Sequence, residues 1–150
     1  MDLVDSSLVE HIDCKPVSNQ EAKELLESTT IFDMVNIIKE YDGLGLAAPQ
    51  VGIYKRFFVV LKKESFAVFF NPVLIKVNDG KKIEGEGCLN YDGGEKYTDI
   101  RRFKTVDLLF DMWDESQKRL VRKRERFHGV DARVIQHEVD HLNGKTIFMR

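Results

Sequence analysis

Apolar residues follow two rhythms along this chain. In "EAKELLESTTIFDMVNIIKEY" (21–41) good helix formers carry an apolar stripe, the pattern of an amphipathic helix. Ser18 opens that helix as a capping box with Glu21, "STT" at 28–30 is a place for it to break, and Gly43 is a natural stop. The rhythm then changes. "RFFVVL", "FAVFFNP" and "VLIKV" are short, rich in β-branched and aromatic residues, and punctuated by "NP" and "NDG", so they predict strands. "TVDLLFDMW" and "KRLVRKRERF" flank the polar "DESQ" and predict a hairpin. Residues 130–143 predict a final helix that ends towards Asn143 and Gly144. A helix, then strands, then a helix gives an α+β class. With no repeat, low-complexity tract or linker, residues 1–150 suit one domain.

Composition narrows the classes of function. The chain is 43% hydrophobic and 32% charged, the balance of an ordinary globular protein. A net charge of −2 gives no global attraction to nucleic acid or anionic membrane. The run "RKRER" (122–126) is interrupted by Glu125 and reads as a solvated hairpin strand, not a nucleic-acid patch. Cys14 and Cys88 are too few for a disulfide framework and fit a reducing compartment. The acidic start "MDLVDSSLVEHID" lacks the features of a signal peptide, and the apolar runs fall short of a membrane span. The expectation is a cytoplasmic protein.

The chemistry concentrates in "QHEVDHLNG" (136–144). His137 and His141 are four apart, so a helix stacks them on one face, where they can grip one metal ion. Glu138, about 100° round the axis, can reach a metal-bound water. The bland alternative is a surface helix with charges at ordinary spacing. The neighbouring "ARVI" and "LNG" make the helix half buried, however, and burying these groups without partners is costly. The third ligand must lie upstream. Only nine residues follow His141, none of them acidic, and Ile147 stands where a longer motif would supply a third histidine. His11, Cys14, Cys88 and His128 are the candidates, besides the many carboxylates. Cys88 leads because Gly85 and Gly87 free its backbone for close approach, although a buried cysteine is often just a small hydrophobe. Cys14 and His11 lie in a polar N-terminal segment expected to be mobile, and His128 is expected to cap the last helix or face solvent.

Three ordered motifs, "GLGLAAPQVG" (43–52), "EGCLN" (86–90) and "QHEVDHLNG", resemble the signatures of the peptide deformylase family. "CKPV", "FFNPVL" and "VDLLFDMWD" extend the resemblance over nearly the whole chain. It implies a deformylase-like fold with the motif helix packed between sheets. It also implies hydrolytic removal of the formyl group from N-terminal formyl-methionine of nascent polypeptides, at the ribosome, with release of formate. Cys88, His137 and His141 would hold the metal and leave a fourth position for water, while Glu138 acts as general base and acid. The side-chain amide of Gln50 and the backbone N–H of Leu89 would stabilise the oxyanion. Substrate would lie along the first motif with its main chain bonded near Gly45, and Leu44 and Val134 would line the methionine pocket.

Thiolate and imidazole together bind zinc well, whereas the family is noted for ferrous iron, with zinc, nickel or cobalt substituting. Asn90 replaces a usual serine, and the following "YDGGEKYTDI" is longer than in most relatives. The stretch before the first motif is longer too. Many relatives continue past the position of Arg150 into another helix, and short versions occur in bacteria and in some of their viruses. Two rival readings are a zinc peptidase, which should supply a downstream ligand, and an inactive deformylase-like metal-binding protein, against which every chemistry-bearing motif residue is present.

Overall fold

The strand "FFVV" is apolar at every position because it is buried on both faces. In the computed structural model, which describes residues 1–77, 80–88 and 97–146, Phe57 and Val59 point to one side of a sheet and Phe58 and Val60 to the other. Strands β1 (Gly45–Ala47), β2 (Phe57–Lys62), β3 (Ser65–Val77), β6 (Thr105–Asp114) and β7 (Arg119–His128) form that sheet in the order β1-β2-β3-β6-β7. Neighbouring strands in it are antiparallel. Strands β4 (Gly80–Gly87) and β5 (Tyr97–Phe103) make a separate antiparallel ribbon.

Helices α1 (Asn19–Glu27) and α2 (Thr30–Glu40) cover one face of the larger sheet, where Ala22, Met34 and Ile38 meet Leu46, Phe57 and Val59. Helix α3 (Gly129–Leu142) covers the other face, with Val134, Ile135, Val139 and Leu142 against Phe58, Phe69, Leu108 and Phe127. The α+β expectation holds, and so does the place of the last helix. No described helix is long and apolar enough to cross a membrane.

Local chemistry sets the ends of the elements. Ser18 and Glu21 form the expected capping box, each side chain accepting from the other's backbone N–H at 3.2 and 3.1 Å. "STT" does break the helix, because Ser28 ends α1 in an extended conformation and Thr29 begins α2. The stop after α2 differs from expectation. Asp42 takes the left-handed conformation (φ 53°), and Gly43 N–H donates to the Ile38 carbonyl at 2.8 Å.

"NP" does not end a strand either. Asn71 (φ 49°) and Pro72 form a bulge inside β3, where a missing N–H is tolerated. The Asn71 side chain accepts from Val17 N–H at 2.7 Å and donates to the Val17 carbonyl at 2.9 Å, imitating a strand partner.

The β6–β7 hairpin is as predicted, and its arginines are tied down. Arg126 and Arg124 donate to Asp107 at 2.6 and 3.0 Å, and Arg122 donates to Asp111 at 3.1 Å. The hydrogen bonds from Arg126, then Arg124, hold the Asp107 carboxyl well below the usual carboxylate range. The charges on β7 also blunt the open edge of the sheet against pairing with another chain.

The N-terminal segment is bound to the body, contrary to the mobile tail expected of it. Val9 and Cys14 are buried, and His11 N–H donates to the Gly144 carbonyl at 2.7 Å. Alternating Ile12 and Cys14 give this polar-looking stretch an apolar side, which packs into the cluster under α3.

Candidate metal centre

The i,i+4 spacing on α3 brings the two imidazoles together, with their Nε2 atoms 3.0 Å apart. Cys88, just past β4, completes the group, its Sγ lying 3.4 Å from His141 Nε2. The three donor atoms all lie within 4.8 Å of one another. A tetrahedral ion with bonds of about 2.0–2.3 Å holds its ligand atoms about 3.3–3.6 Å apart, so this set is near enough to share one such ion. His141 is fully buried, and burial, followed by His137 and Arg102, holds its pKa well below the ordinary imidazole value. Its ring is therefore neutral at physiological pH and offers a lone pair. His11, Cys14 and His128 are not part of the cluster. Cys14 is pushed up to about 11 by burial, a thiol kept protonated, while exposed His128 meets Thr105 Oγ1 at 3.1 Å.

Gln50 closes one side of the cluster. It lies in the tight turn that follows β1 (Ala48–Val51), is 1% exposed, and has its amide orientation fixed. Oε1 accepts from Ala47 N–H at 2.9 Å, which leaves the NH₂ group facing the cluster, 3.6 Å from Cys88 Sγ.

Glu138 is 3% exposed and lies against β1. A Cβ on Gly45 would stand 2.8 Å from Glu138 Oε2, 3.1 Å from Val134 Cγ1 and 3.2 Å from the Val59 carbonyl. The missing Cβ thus leaves room for the carboxylate as it is placed here, a reason that its sequence context does not reveal. Val134 is buried beside Gly45, whereas Leu44 is half exposed at the sheet edge. The expected role of Leu89 falls outside the described residues.

Polar residues that the sequence did not single out fasten α3, two ties joining it to the ribbon that leads to Cys88 and a third joining its C-terminus to the residue before β2. Arg102 on β5 donates to Asp140 at 2.6 Å, and Arg102 is only 2% exposed. Gln136 accepts from Phe103 N–H at 2.9 Å and donates to the Phe103 carbonyl at 2.8 Å. At the helix C-terminus, the Arg56 guanidinium donates to the Leu142 carbonyl at 3.1 Å, where the helix dipole favours a cation. The aspartate inside the His-Glu-x-Asp-His run (137–141), on a helix that the neighbouring apolar residues half bury, is the signal that could have marked the first of these ties.

The family model for polypeptide deformylase matches residues 5–150. The chain belongs to the polypeptide deformylase family. It is similar to the peptide deformylase of Thermotoga maritima, with 35% identity over 140 residues, which make up 90% of this chain and 81% of that protein. The crystal structure of peptide deformylase from Thermotoga maritima superposes with a TM-score of 0.82 at 34% identity, covering 99% of this chain and 95% of that one. The structure of a peptide deformylase from Synechococcus elongatus in complex with actinonin gives a TM-score of 0.79 at 32% identity, covering 97% and 75% of the two chains. Like its deformylase relatives, this chain has the α+β fold with the motif helix at its C-terminal end.

Proposed function

We propose that this chain is a peptide deformylase that hydrolyses the formyl amide of N-formyl-methionyl peptides to formate and a free α-amino group. The observation that carries this reading is the Cys88, His137 and His141 cluster flanked by Gln50 and buried Glu138. Those three residues would hold one divalent ion. When bound, such an ion supplies Lewis acidity that brings the pKa of water from ~15.7 towards ~7.

The other groups divide the remaining work. Glu138 takes a proton from the attacking water and delivers one to the nitrogen as the C–N bond breaks. The Gln50 amide donates to the oxygen that gains charge as the formyl carbon becomes tetrahedral, together with the backbone N–H of Leu89. Strand β1 lies at the edge of the larger sheet, and the Leu44 carbonyl is already used by Leu61 N–H at 2.9 Å. Alternation along the strand turns the Gly45 backbone the other way, towards an added peptide strand. Val134 and Leu44 flank Gly45 and would receive the methionine side chain.

Ferrous iron is the ion we assign in the cell, with zinc, nickel or cobalt able to replace it. The substrates are nascent chains at the ribosome in the cytoplasm, and residues 1–150 act as one catalytic domain. Protein purified anaerobically and loaded with Fe²⁺ is expected to release formate from a formyl-Met peptide. Failure with Fe²⁺, Zn²⁺, Ni²⁺ and Co²⁺ alike would leave only the inactive-relative reading.

Gly45→Ala tests the packing of the centre. The new methyl must displace the Glu138 carboxylate or the β2 backbone, so turnover should fall at least ~10-fold and stability by about 1–3 kcal/mol. Steady-state kinetics and urea unfolding on one preparation measure both effects. Unchanged turnover would mean that the position of Glu138 is not critical.

A further inference from the structure

The N-terminal segment is attached at both ends to backbone that carries residues of the centre. Val4 N–H donates to the Gln50 backbone carbonyl at 2.9 Å, and a Cβ on Gly52 would stand 3.4 Å from Val4 Cγ1. Seven residues later His11 N–H donates to the Gly144 carbonyl at 2.7 Å, two residues beyond the end of α3. Gly144 (φ 73°) permits this contact, since a Cβ there would stand 2.7 Å from both backbone N and O of Ile12. Val9, between the two attachments, is completely buried. The segment then returns to the loop after Gln50, where Lys15 N–H donates to the Tyr54 carbonyl at 3.1 Å and Arg56 N–H donates to the Lys15 carbonyl at 2.9 Å. Arg56 in turn reaches the Leu142 carbonyl. The result is a closed circuit of hydrogen bonds running from the Gln50 turn to the end of the helix that carries His137 and His141, and back.

We propose that residues 3–13 form a positioning strap for the reaction, in which the Val4 N–H fixes the Gln50 turn relative to α3. The proposal rests on the reading of Gln50 as the oxyanion donor. The turn is short, and the carbonyl held by Val4 is that of Gln50 itself, so a shift of the backbone at that point carries the Gln50 Cα and its side-chain amide with it. An oxyanion donor acts through geometry, and a displacement of about 1 Å is enough to cost an order of magnitude or more in rate. Val4 is a positioning residue because it touches no reacting atom.

The test is a double-mutant cycle of Val4→Pro, which removes the N–H, with Gln50→Ala, both assayed for formate release, metal content and thermal unfolding. Val4→Pro is expected to lower kcat about tenfold in the parent chain with KM and metal content within twofold. It should add almost nothing in the Gln50→Ala background. Val4→Ala keeps the N–H and is expected to retain kcat. Where Val4→Pro does not fold, deletion of Asp2–Asp5 removes the donor without a proline and enters the same cycle. Parent-like turnover of Gln50→Ala overturns the oxyanion reading and the strap with it. A clear loss in Gln50→Ala, combined with an equal Val4→Pro loss in both backgrounds or in neither, overturns the strap alone.

Discussion

Glu138→Gln should keep its metal and lose formate release by roughly 10² to 10⁴-fold, the usual span for removing a positioned acid–base group. The substitution preserves shape and burial at a residue that is 3% exposed, and it leaves Cys88, His137 and His141 in place. What it removes is the ability to accept a proton from water and pass one to the departing nitrogen. A solvated helix carboxylate would tolerate the change, but Glu138 is pressed against β1 with Gly45 making room for it. Metal analysis and formate release on the same preparation separate the two roles. Near-parent turnover in a metal-loaded Gln variant would remove Glu138 from the mechanism.

Features that depend on near neighbours in the chain were legible in the sequence. The Ser18 capping box, the break at "STT", the β6–β7 hairpin and the imidazole pair on α3 each follow from residues within a few positions of one another. The doubly buried "FFVV" was also readable as a strand, because no polar position interrupts it. Cys88 could be ranked above Cys14 from its glycines, and the structure sets Cys88 beside the two imidazoles and Cys14 in the apolar core.

Features set by distant partners were not legible. Asn71 looks like a strand end, and becomes a bulge only because Val17, 54 residues away, pairs with its side chain. The β4–β5 ribbon is built from "GKKIEGEG" and "YTDIRRF", whose polar composition gives little periodic signal. Gly45 reads as a substrate contact, yet its missing Cβ also makes room for Glu138, 93 positions later in the chain. Arg102 and Asp140 look like surface charges until β5 is laid against α3, which buries the arginine.

Cys88→Ala should lose metal and activity together, while Cys14→Ala keeps both. Two imidazoles with Nε2 atoms 3.0 Å apart remain in the first variant, but the thiolate that supplies charge and the third bond is gone. Metal per chain is expected to fall at least ~10-fold, since altering even the partners that support metal ligands typically costs 10–100-fold in affinity. The loss is local, because the ribbon leading to Cys88 stays fastened through Arg102–Asp140 and through Gln136 on Phe103. Secondary structure should therefore persist in the metal-poor protein. Cys14 sits among Val139, Leu142 and Phe58, so its truncation trims the core and should cost on the order of 1 kcal/mol without touching the centre. Elemental analysis after dialysis, set beside a denaturation curve, reads the two variants on both axes. A Cys14→Ala protein that loses its metal while Cys88→Ala retains it would reverse the ligand assignment and take the proposed centre with it.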